Sequence, residues 1–312
     1  MLLSRRRLLL HSLSVGVVLG VAGCSTTPTA PVATAPKPIA REPVIALALG
    51  GGGAKGFAHI GVIKVLESHG IRPKIVTGTS AGSFVGSIYA SGKTPFQLQE
   101  IALKLDEKQL RDLTLSKQGF VVGQKLQDYV NQQVNSVPME RFPIKFAAVA
   151  TRLDNGQKAV FTRGNTGQAV RASCSIPNVF IPATIGGVRY VDGGLVSPIP
   201  VETARDLGAD LVIAIDISAR PKAGETTGMW GLLDQTINIM GMQGISRELN
   251  QADVVIQPNI SGLAALDLSQ RHQTILEGER AAQQHLRQID QAIARFKASP
   301  AAFQPAPRAR IQ

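Results

Sequence analysis

The chain has 312 residues, of which 44% are hydrophobic and 18% charged, and it carries a formal net charge of +11. This composition suits one or two folded domains with a full core and excludes a disordered or repetitive chain. Aromatic residues make up only 4%, and Lys and Arg are scattered, so there is no stripe of the kind that binds nucleic acid. The charge instead predicts a solvated surface that is attracted to anionic membranes.

The first residues have the pattern of an export signal. Arg5–Arg7 precede an apolar run from Leu8 to Ala22, which is too short for a secure transmembrane span. Residues 21–24 (VAGC) resemble the lipobox of bacterial lipoproteins, in which the cysteine is lipidated. We therefore expect residues 1–23 to be a signal peptide and Cys24 to anchor the protein to a membrane outside the cytoplasm. An uncleaved membrane anchor is the alternative. By the same resemblance, a serine at position 25 favours the outer membrane.

The composition after Cys24 predicts three further segments. Residues 24–43 are rich in Thr, Pro and Ala and predict a tether, residues 44–297 a folded domain, and residues 298–312 a disordered tail. Once Cys24 carries lipid, Cys174 is a lone thiol and no disulfide can form within the chain. We expect Cys174 to be a small buried residue at a helix end.

In chain order, apolar runs and glycine turns predict strands that alternate with helices. A strand at 44–49, a helix ending before Gly70, a strand at 75–76 and a helix ending at Gly92 form two strand, turn and helix units. Further predicted helices cover 96–105, 124–134, 167–172, 201–207, 229–248 and 270–296, and further strands cover 144–151, 159–162, 188–191, 211–217 and 254–256. The succession predicts an α/β fold with parallel strands.

Residues 78–82 (GTSAG) match the pattern G-x-S-x-G between a predicted strand and a predicted helix. The small neighbours are needed because the serine of such a turn is strained and presents its hydroxyl outward. This context predicts Ser80 as a nucleophile.

A run of four glycines follows the first strand, and several ligands could need such an open backbone. Gly51, Gly53 and Gly56 fit a dinucleotide fingerprint, but the second strand does not end in the acid that would bind a ribose. A P-loop also fails, because Phe57 stands where its lysine should be.

After these two exclusions, we interpret the glycine run as an oxyanion hole. Backbone N–H groups at a helix N-terminus stabilise negative charge, and the candidates are those of Gly51, Gly52 and Gly53. Lys55 could add positive potential, and a solvated loop lysine is the alternative.

A serine nucleophile also needs a base. Asp192 stands at a predicted strand end before Gly193 and Gly194, where it could orient the hydroxyl and take its proton. A triad of Ser80, Asp192 and His272 is the alternative, although no histidine lies in a loop suited to a catalytic base.

Three motifs resemble those of the patatin-like phospholipases: residues 51–56 (GGGAKG), 78–82 (GTSAG) and 192–194 (DGG). Their order and spacing match the family, and the resemblance covers residues 44–201. It implies a three-layer α/β/α sandwich with a mainly parallel sheet, on which a Ser80–Asp192 dyad hydrolyses acyl esters of membrane lipids without metal or cofactor. The supporting motif positions are Lys55, Gly56, Gly78, Gly82, Gly193 and Gly194.

The sequence also allows two functions other than ester hydrolysis. A lipoprotein of the same fold could bind lipid without turnover, and a dinucleotide-binding oxidoreductase would bind nicotinamide or flavin. The sequence predicts no nucleic acid partner, and it does not specify the lipid head group or the oligomeric state.

Overall fold

A computed structural model describes residues 41–110, 112–116, 118–218, 228–260 and 268–298. The predicted signal peptide, Cys24, most of the tether and nearly all of the tail lie outside the described residues. Among the described helices, none combines the length and the apolar character that a membrane span requires.

The strands are β1 Ile45–Leu49, β2 Ile75–Thr79, β3 Leu113–Ser116, β4 Gly119–Val121, β5 Lys145–Arg152, β6 Lys158–Phe161, β7 Ala183–Ile185, β8 Val188–Asp192, β9 Leu211–Ile215 and β10 Val254–Ile256. The helices are α1 Phe57–Ser68, α2 Ala81–Ala90, α3 Pro95–Lys104, α4 Gln124–Gln133, α5 Thr166–Ser173, α6 Val201–Asp206, α7 Gly228–Leu249 and α8 Arg271–Ala298. Each predicted helix and strand is present within a few residues of its predicted bounds.

The main sheet runs in the order β10-β9-β1-β2-β5-β8-β7, with β6 also paired to β5. Strands β10, β9, β1, β2 and β5 are parallel, whereas β6, β7 and β8 pair antiparallel at the other end. The prediction of an α/β fold with a mainly parallel sheet is confirmed. The carboxyl ends of β1 and β2 are adjacent, so the segments that follow these two strands meet at one edge.

Strand β1 is buried on both faces and shows the three layers most clearly. Its residues Ile45, Leu47 and Leu49 join the apolar cluster that contains residues of α1 and α8. Ala46 and Ala48 point the other way, toward residues of α6 and α7. Since side chains alternate along a strand, one short run thus covers two helical layers.

The last helix packs by one stripe of apolar residues that recur at helical spacing. Ile275, Ala282, Ile289 and Phe296 are buried, and Leu286 and Ile293 are partly buried against the same core. Residues 154–156 (DNG), a sequence typical of hairpin turns, join β5 and β6 in an antiparallel hairpin.

Three short strands escaped prediction. β3 and β4 form a separate hairpin in which Leu113 and Phe120 are exposed, and β7 has only three residues. Runs this short carry too few alternations to distinguish a strand from a loop.

The folded domain begins earlier than predicted. Arg41 donates two hydrogen bonds to the carboxylate of Asp210 at 2.5 and 2.7 Å and stacks on the ring of Phe296. Glu42 pairs with Lys297 at 2.7 Å. Arg41 and Glu42 therefore belong to the domain, and assigning residues 41–43 to the tether is corrected. The contacts lie far apart in the sequence, which is why composition did not indicate them.

Candidate active site

Ser80 occupies a sharp turn between β2 and α2. Its φ of 52° and ψ of −122° lie in a region that non-glycine residues rarely adopt. Holding such a conformation costs about 1–3 kcal/mol, which the surrounding structure must supply. The turn has the strained geometry that the motif predicted.

Two glycines of the motif allow the turn by close approach of backbone to backbone. A Cβ at Gly78 would lie 2.4 Å from the carbonyl oxygen of Gly82, and one at Gly82 would lie 2.1 Å from that of Leu49. Neither position has room for a side chain. The start of α2 is therefore pressed against the end of β1, where the glycine run begins.

Ser173, at the end of α5, stabilises the turn through two hydrogen bonds of its hydroxyl group. Its Oγ accepts the backbone N–H of Ser80 at 2.9 Å and donates to the carbonyl of Val149 at 2.6 Å. Ser173 is fully buried. Nothing in the local sequence distinguishes it from any other small helical residue, so it was not predicted.

We expect Ser173→Ala to destabilise the protein by about 1–3 kcal/mol, because it leaves a buried N–H and a buried carbonyl without a partner. Urea denaturation measures this change. Ser68→Ala is the matched control, since that exposed hydroxyl at the end of α1 also bonds one carbonyl, and a change within about 0.5 kcal/mol is expected there. Equal effects in both variants would contradict the role given to Ser173.

The register of the sheet brings Asp192 to the same place. Thr79 pairs with Val149, and Asp192 pairs with Ala150, the next residue of β5. Strand β6 pairs with both of these β5 residues and therefore lies on the other side of β5. Strands β2 and β8 thus meet end to end along one side of β5, and their carboxyl ends bring Ser80 and Asp192 together.

Each part of the Asp192 carboxylate has a distinct environment. Oδ1 accepts the N–H of Gly194 at 2.7 Å, whereas Oδ2 is buried and has no hydrogen-bond partner in the described part of the chain. Burial raises the pKa of Asp192 to about 6, against the opposing effects of the Ser80 hydroxyl and the Gly194 N–H. A Cβ at Gly193 would lie 2.2 Å from the carbonyl oxygen of Val149, so this glycine lets the turn sit close to β5.

The glycine run after β1 lies beside Ser80. A Cβ at Gly51 would lie 3.3 Å from the Cβ of Ser80, and one at Gly56 would lie 2.8 Å from the Cβ of Ala81. Gly53 has a φ of 60°, which glycine adopts without strain. The run and the serine turn therefore form one surface.

One of the three predicted oxyanion donors is already engaged. The N–H of Gly51 donates to the carbonyl of Pro198 at 3.0 Å, so the assignment of Gly51 to the oxyanion hole is corrected. The N–H groups of Gly52 and Gly53 bond no acceptor in the part of the chain that the structure describes. These two N–H groups are therefore available to donate hydrogen bonds to an anion.

Lys55 is only 5% exposed, although it stands in a loop. The alternative of a solvated loop lysine is therefore wrong. Its side chain is buried and not in solvent.

An apolar cavity of about 270 Å³ opens next to Ser80. Its wall contains Gly53, Ser80 and Cys174, and otherwise consists largely of apolar side chains such as those of Phe84, Leu105, Leu126, Ile176 and Phe180. A chain of methylene groups matches this lining better than any polar ligand.

Cys174 caps the end of α5, as predicted, and is partly buried at the cavity wall. Burial, with the nearby charge of Asp192, raises the pKa of its thiol. Its Sγ lies 3.8 Å from the Oγ of Ser83. A thiol held in its neutral form is a poor nucleophile, so Ser80 is the better candidate.

The histidines do not complete a triad in the described structure. His272 is exposed and makes no described hydrogen bond to Ser80 or Asp192. His285, on α8, bonds the carbonyl of Ala281. His59 differs from both: it is fully buried, and its Nε2 lies 2.9 Å from the carbonyl oxygen of Gly50. The sequence did not predict this contact of His59, because a position on a helix gives no sign of a hydrogen bond to the glycine run.

Comparisons with known proteins agree with this architecture. An NTE family protein of Mycobacterium tuberculosis, itself uncharacterised, is 36% identical over 198 residues, which are 61% of this chain and 55% of the relative. Lysophospholipase NTE1 of Candida albicans is 30% identical over 203 residues, 61% of this chain and 15% of that protein. The chain thus matches about half the length of the mycobacterial relative and a small part of the fungal one.

Among solved structures, VipD from Legionella pneumophila has a TM-score of 0.53 and 16% identity, over 81% of this chain and 67% of that one. This likeness concerns the fold. A sequence model of the patatin-like phospholipases matches residues 47–205, which contain all three motifs. The chain belongs to the patatin-like phospholipase family.

Proposed function

We propose that this protein is a serine hydrolase that cleaves acyl esters of membrane lipids through an acyl-enzyme. The observation that supports it most is a strained serine at the wall of an apolar cavity, with a buried carboxylate beside it. Membership of a phospholipase family and the similarity to a protein named as a lysophospholipase favour lipid as the substrate class.

In the first step, Oγ of Ser80 attacks the ester carbonyl and its proton passes to Oδ2 of Asp192. The carbonyl oxygen becomes an oxyanion, which accepts the N–H groups of Gly52 and Gly53. Donors of this kind are typically worth a factor of about 10²–10³ in kcat. When the intermediate collapses, Asp192 returns the proton to the leaving alcohol, and the acyl group stays on Ser80.

In the second step, Asp192 takes a proton from water, which attacks the acyl-enzyme. The tetrahedral intermediate again places its charge between the same two N–H groups. Its collapse releases a fatty acid, and the proton on Asp192 returns to Oγ of Ser80. The cycle converts one ester and one water into a fatty acid and an alcohol, and it returns Ser80 and Asp192 to their starting protonation states.

The cavity next to Ser80 would hold the acyl chain, since nearly its whole wall is apolar. We further propose that Cys24 carries lipid and tethers the domain to the outer membrane, facing the periplasm or the cell exterior. The substrate would then lie in the same surface that holds the enzyme.

Release of fatty acid from mixed micelles tests the function. The purified chain is offered a phospholipid, a lysophospholipid and a triacylglycerol in turn, with the same protein after fluorophosphonate treatment as control. We expect release from at least one lipid and none after treatment. Binding to the micelles without release would support the lipid-binding alternative instead.

The rate should also depend on pH, because Asp192 acts as a base only when ionised. With its pKa raised to about 6, we expect kcat/KM to fall about tenfold per pH unit below 6 and to level off above it. Initial rates with a soluble ester between pH 4 and 9 measure this profile. A rate that stays flat down to pH 4 would contradict the assignment of Asp192 as base.

A further inference from the structure

The peptide group between Gly50 and Gly51 is held at both ends. The carbonyl oxygen of Gly50 lies 2.9 Å from Nε2 of His59, and the N–H of Gly51 donates to the carbonyl of Pro198 at 3.0 Å. In a trans peptide these two groups point in opposite directions. The two bonds together therefore define the plane of this peptide, and with it the direction in which the following N–H groups leave the chain.

His59 lies on α1, and its ring contacts the glycine run that precedes this helix. Burial lowers the pKa of His59 to about 4, so the ring is neutral near pH 7. A neutral imidazole carries one N–H, and a carbonyl can only accept, so the hydrogen resides on Nε2. Nδ1 is buried without a hydrogen-bond partner among the described residues, so the bond to Gly50 is the one hydrogen bond described for this ring.

Pro198 is held from the opposite helical layer. The neighbouring Ser197 donates its hydroxyl to Oε1 of Glu248 on α7, and the N–H of Glu202 donates to Oε2 at 2.8 Å. Glu248 is fully buried. A buried carboxylate is costly unless both oxygens are bonded, and here both bonds go to the two ends of segment 197–202.

The same segment contacts the other parts of the site. Thr79, next to the nucleophile, donates its hydroxyl to the carbonyl of Ser197 at 2.7 Å, and the N–H of Ser197 donates to the carbonyl of Gly193 at 2.9 Å. Glu248 therefore holds a segment that touches the glycine loop, the serine turn and the aspartate turn. None of the described contacts places His59 or Glu248 at the cavity wall.

We propose that His59 and Glu248 are positioning residues that clamp the Gly50–Gly51 peptide from the two helical layers, so that the N–H groups of Gly52 and Gly53 face the oxyanion. This inference rests on the proposed hydrolase function. The clamp acts on the transition state, because only there does full negative charge form on the carbonyl oxygen.

The test removes and restores single hydrogen bonds. His59→Phe keeps a flat ring without a donor, and His59→Gln returns an N–H near the place of Nε2. With a soluble p-nitrophenyl ester, we expect His59→Phe to lower kcat by about 10- to 100-fold, since displacing a reacting group by about 1 Å can cost 10²-fold. KM should stay within about threefold, and His59→Gln should recover most of the loss.

Glu248 is tested in the same assay. Glu248→Ala should lower kcat in the same way, and Glu248→Gln, which can bond both Ser197 and the Glu202 N–H, should recover it. The matched controls are His69→Phe and Glu100→Ala. His69 follows the end of α1, which carries His59, and forms an exposed pair with Asp290, whereas Glu100 forms an exposed pair with Lys104. We expect both controls to stay within about twofold of the parent.

Several results would overturn the proposal. A folded His59→Phe with the parent's kcat would do so, as would equal losses in His59→Phe and His59→Gln, or a rise in KM alone. Should His59→Phe and Glu248→Ala fail to fold, Ser197→Ala removes one hydroxyl of the clamp, and an unchanged kcat in that variant contradicts the inference. Ser80→Ala distinguishes failure of the positioning role from failure of the hydrolase function. If this variant retains the parent's rate, the hydrolase proposal itself fails.

Discussion

Ser80→Ala should abolish ester hydrolysis, with a fall in kcat of roughly 10⁴-fold or more, as is typical when a nucleophile that acts as part of a unit is removed. The reason is chemical, because alanine cannot form the acyl-enzyme and the cavity would bind the ester without turnover. Intact mass after exposure to a fluorophosphonate directly detects covalent modification of the Ser80 hydroxyl. The parent should gain one adduct, and Ser80→Ala none.

Ser87→Ala is the matched control for this experiment. Ser87 lies on α2 two turns after Ser80, is buried, and donates to the carbonyl of Phe84 at 2.9 Å. We expect this variant to take up one adduct at the parent's rate. An adduct on folded Ser80→Ala would show that another group is the nucleophile and would remove the basis of the mechanism.

Asp192→Asn should lower kcat by about 10²- to 10⁴-fold, the range expected for loss of a general base. The amide keeps an oxygen for the Gly194 N–H, so the turn stays intact while the proton acceptor is lost. KM should change little. His272→Ala is the companion variant, and we expect it to stay within about twofold of the parent because the described structure shows no hydrogen bond from His272 to Ser80 or Asp192.

The same substitution has an opposite effect on stability. A carboxyl whose pKa is raised from 3.8 to about 6 favours folding only while it is protonated, so the parent loses stability as pH rises through this range. The shift amounts to roughly 3 kcal/mol once the group is ionised. We therefore expect Asp192→Asn to melt several degrees above the parent at pH 8 and close to it at pH 4.

A variant that is inactive and melts below the parent at pH 8 would contradict this explanation, since the loss of activity would then follow from damage to the fold. A variant that is inactive and more stable would show that the buried carboxylate is retained for chemistry at the expense of stability. A difference in melting temperature that is present at pH 8 and disappears at pH 4 is the feature that separates burial of charge from ordinary packing effects.

The sequence by itself determined the features that depend on neighbours along the chain. The elbow around Ser80, the glycine run after the first strand and Asp192 at a strand end are local patterns, because each needs small residues within a few positions. The periodic helices, above all the stripe on α8, follow from spacing as well. Together with the order of the three motifs, these patterns were sufficient for the family and the fold class.

Only the tertiary structure decided which polar groups are already bonded. Whether Gly51 has a free N–H depends on Pro198, the support of Ser80 comes from Ser173, and the Gly50 carbonyl meets His59 only after α1 packs under the loop. A hydrogen bond across the fold leaves no trace in periodicity or composition, because its two partners are set by the register of the sheet and the packing of the layers. For this reason the sequence predicted that Ser80 and Asp192 lie close together, but could not tell which N–H groups of the glycine run have no partner within the described residues.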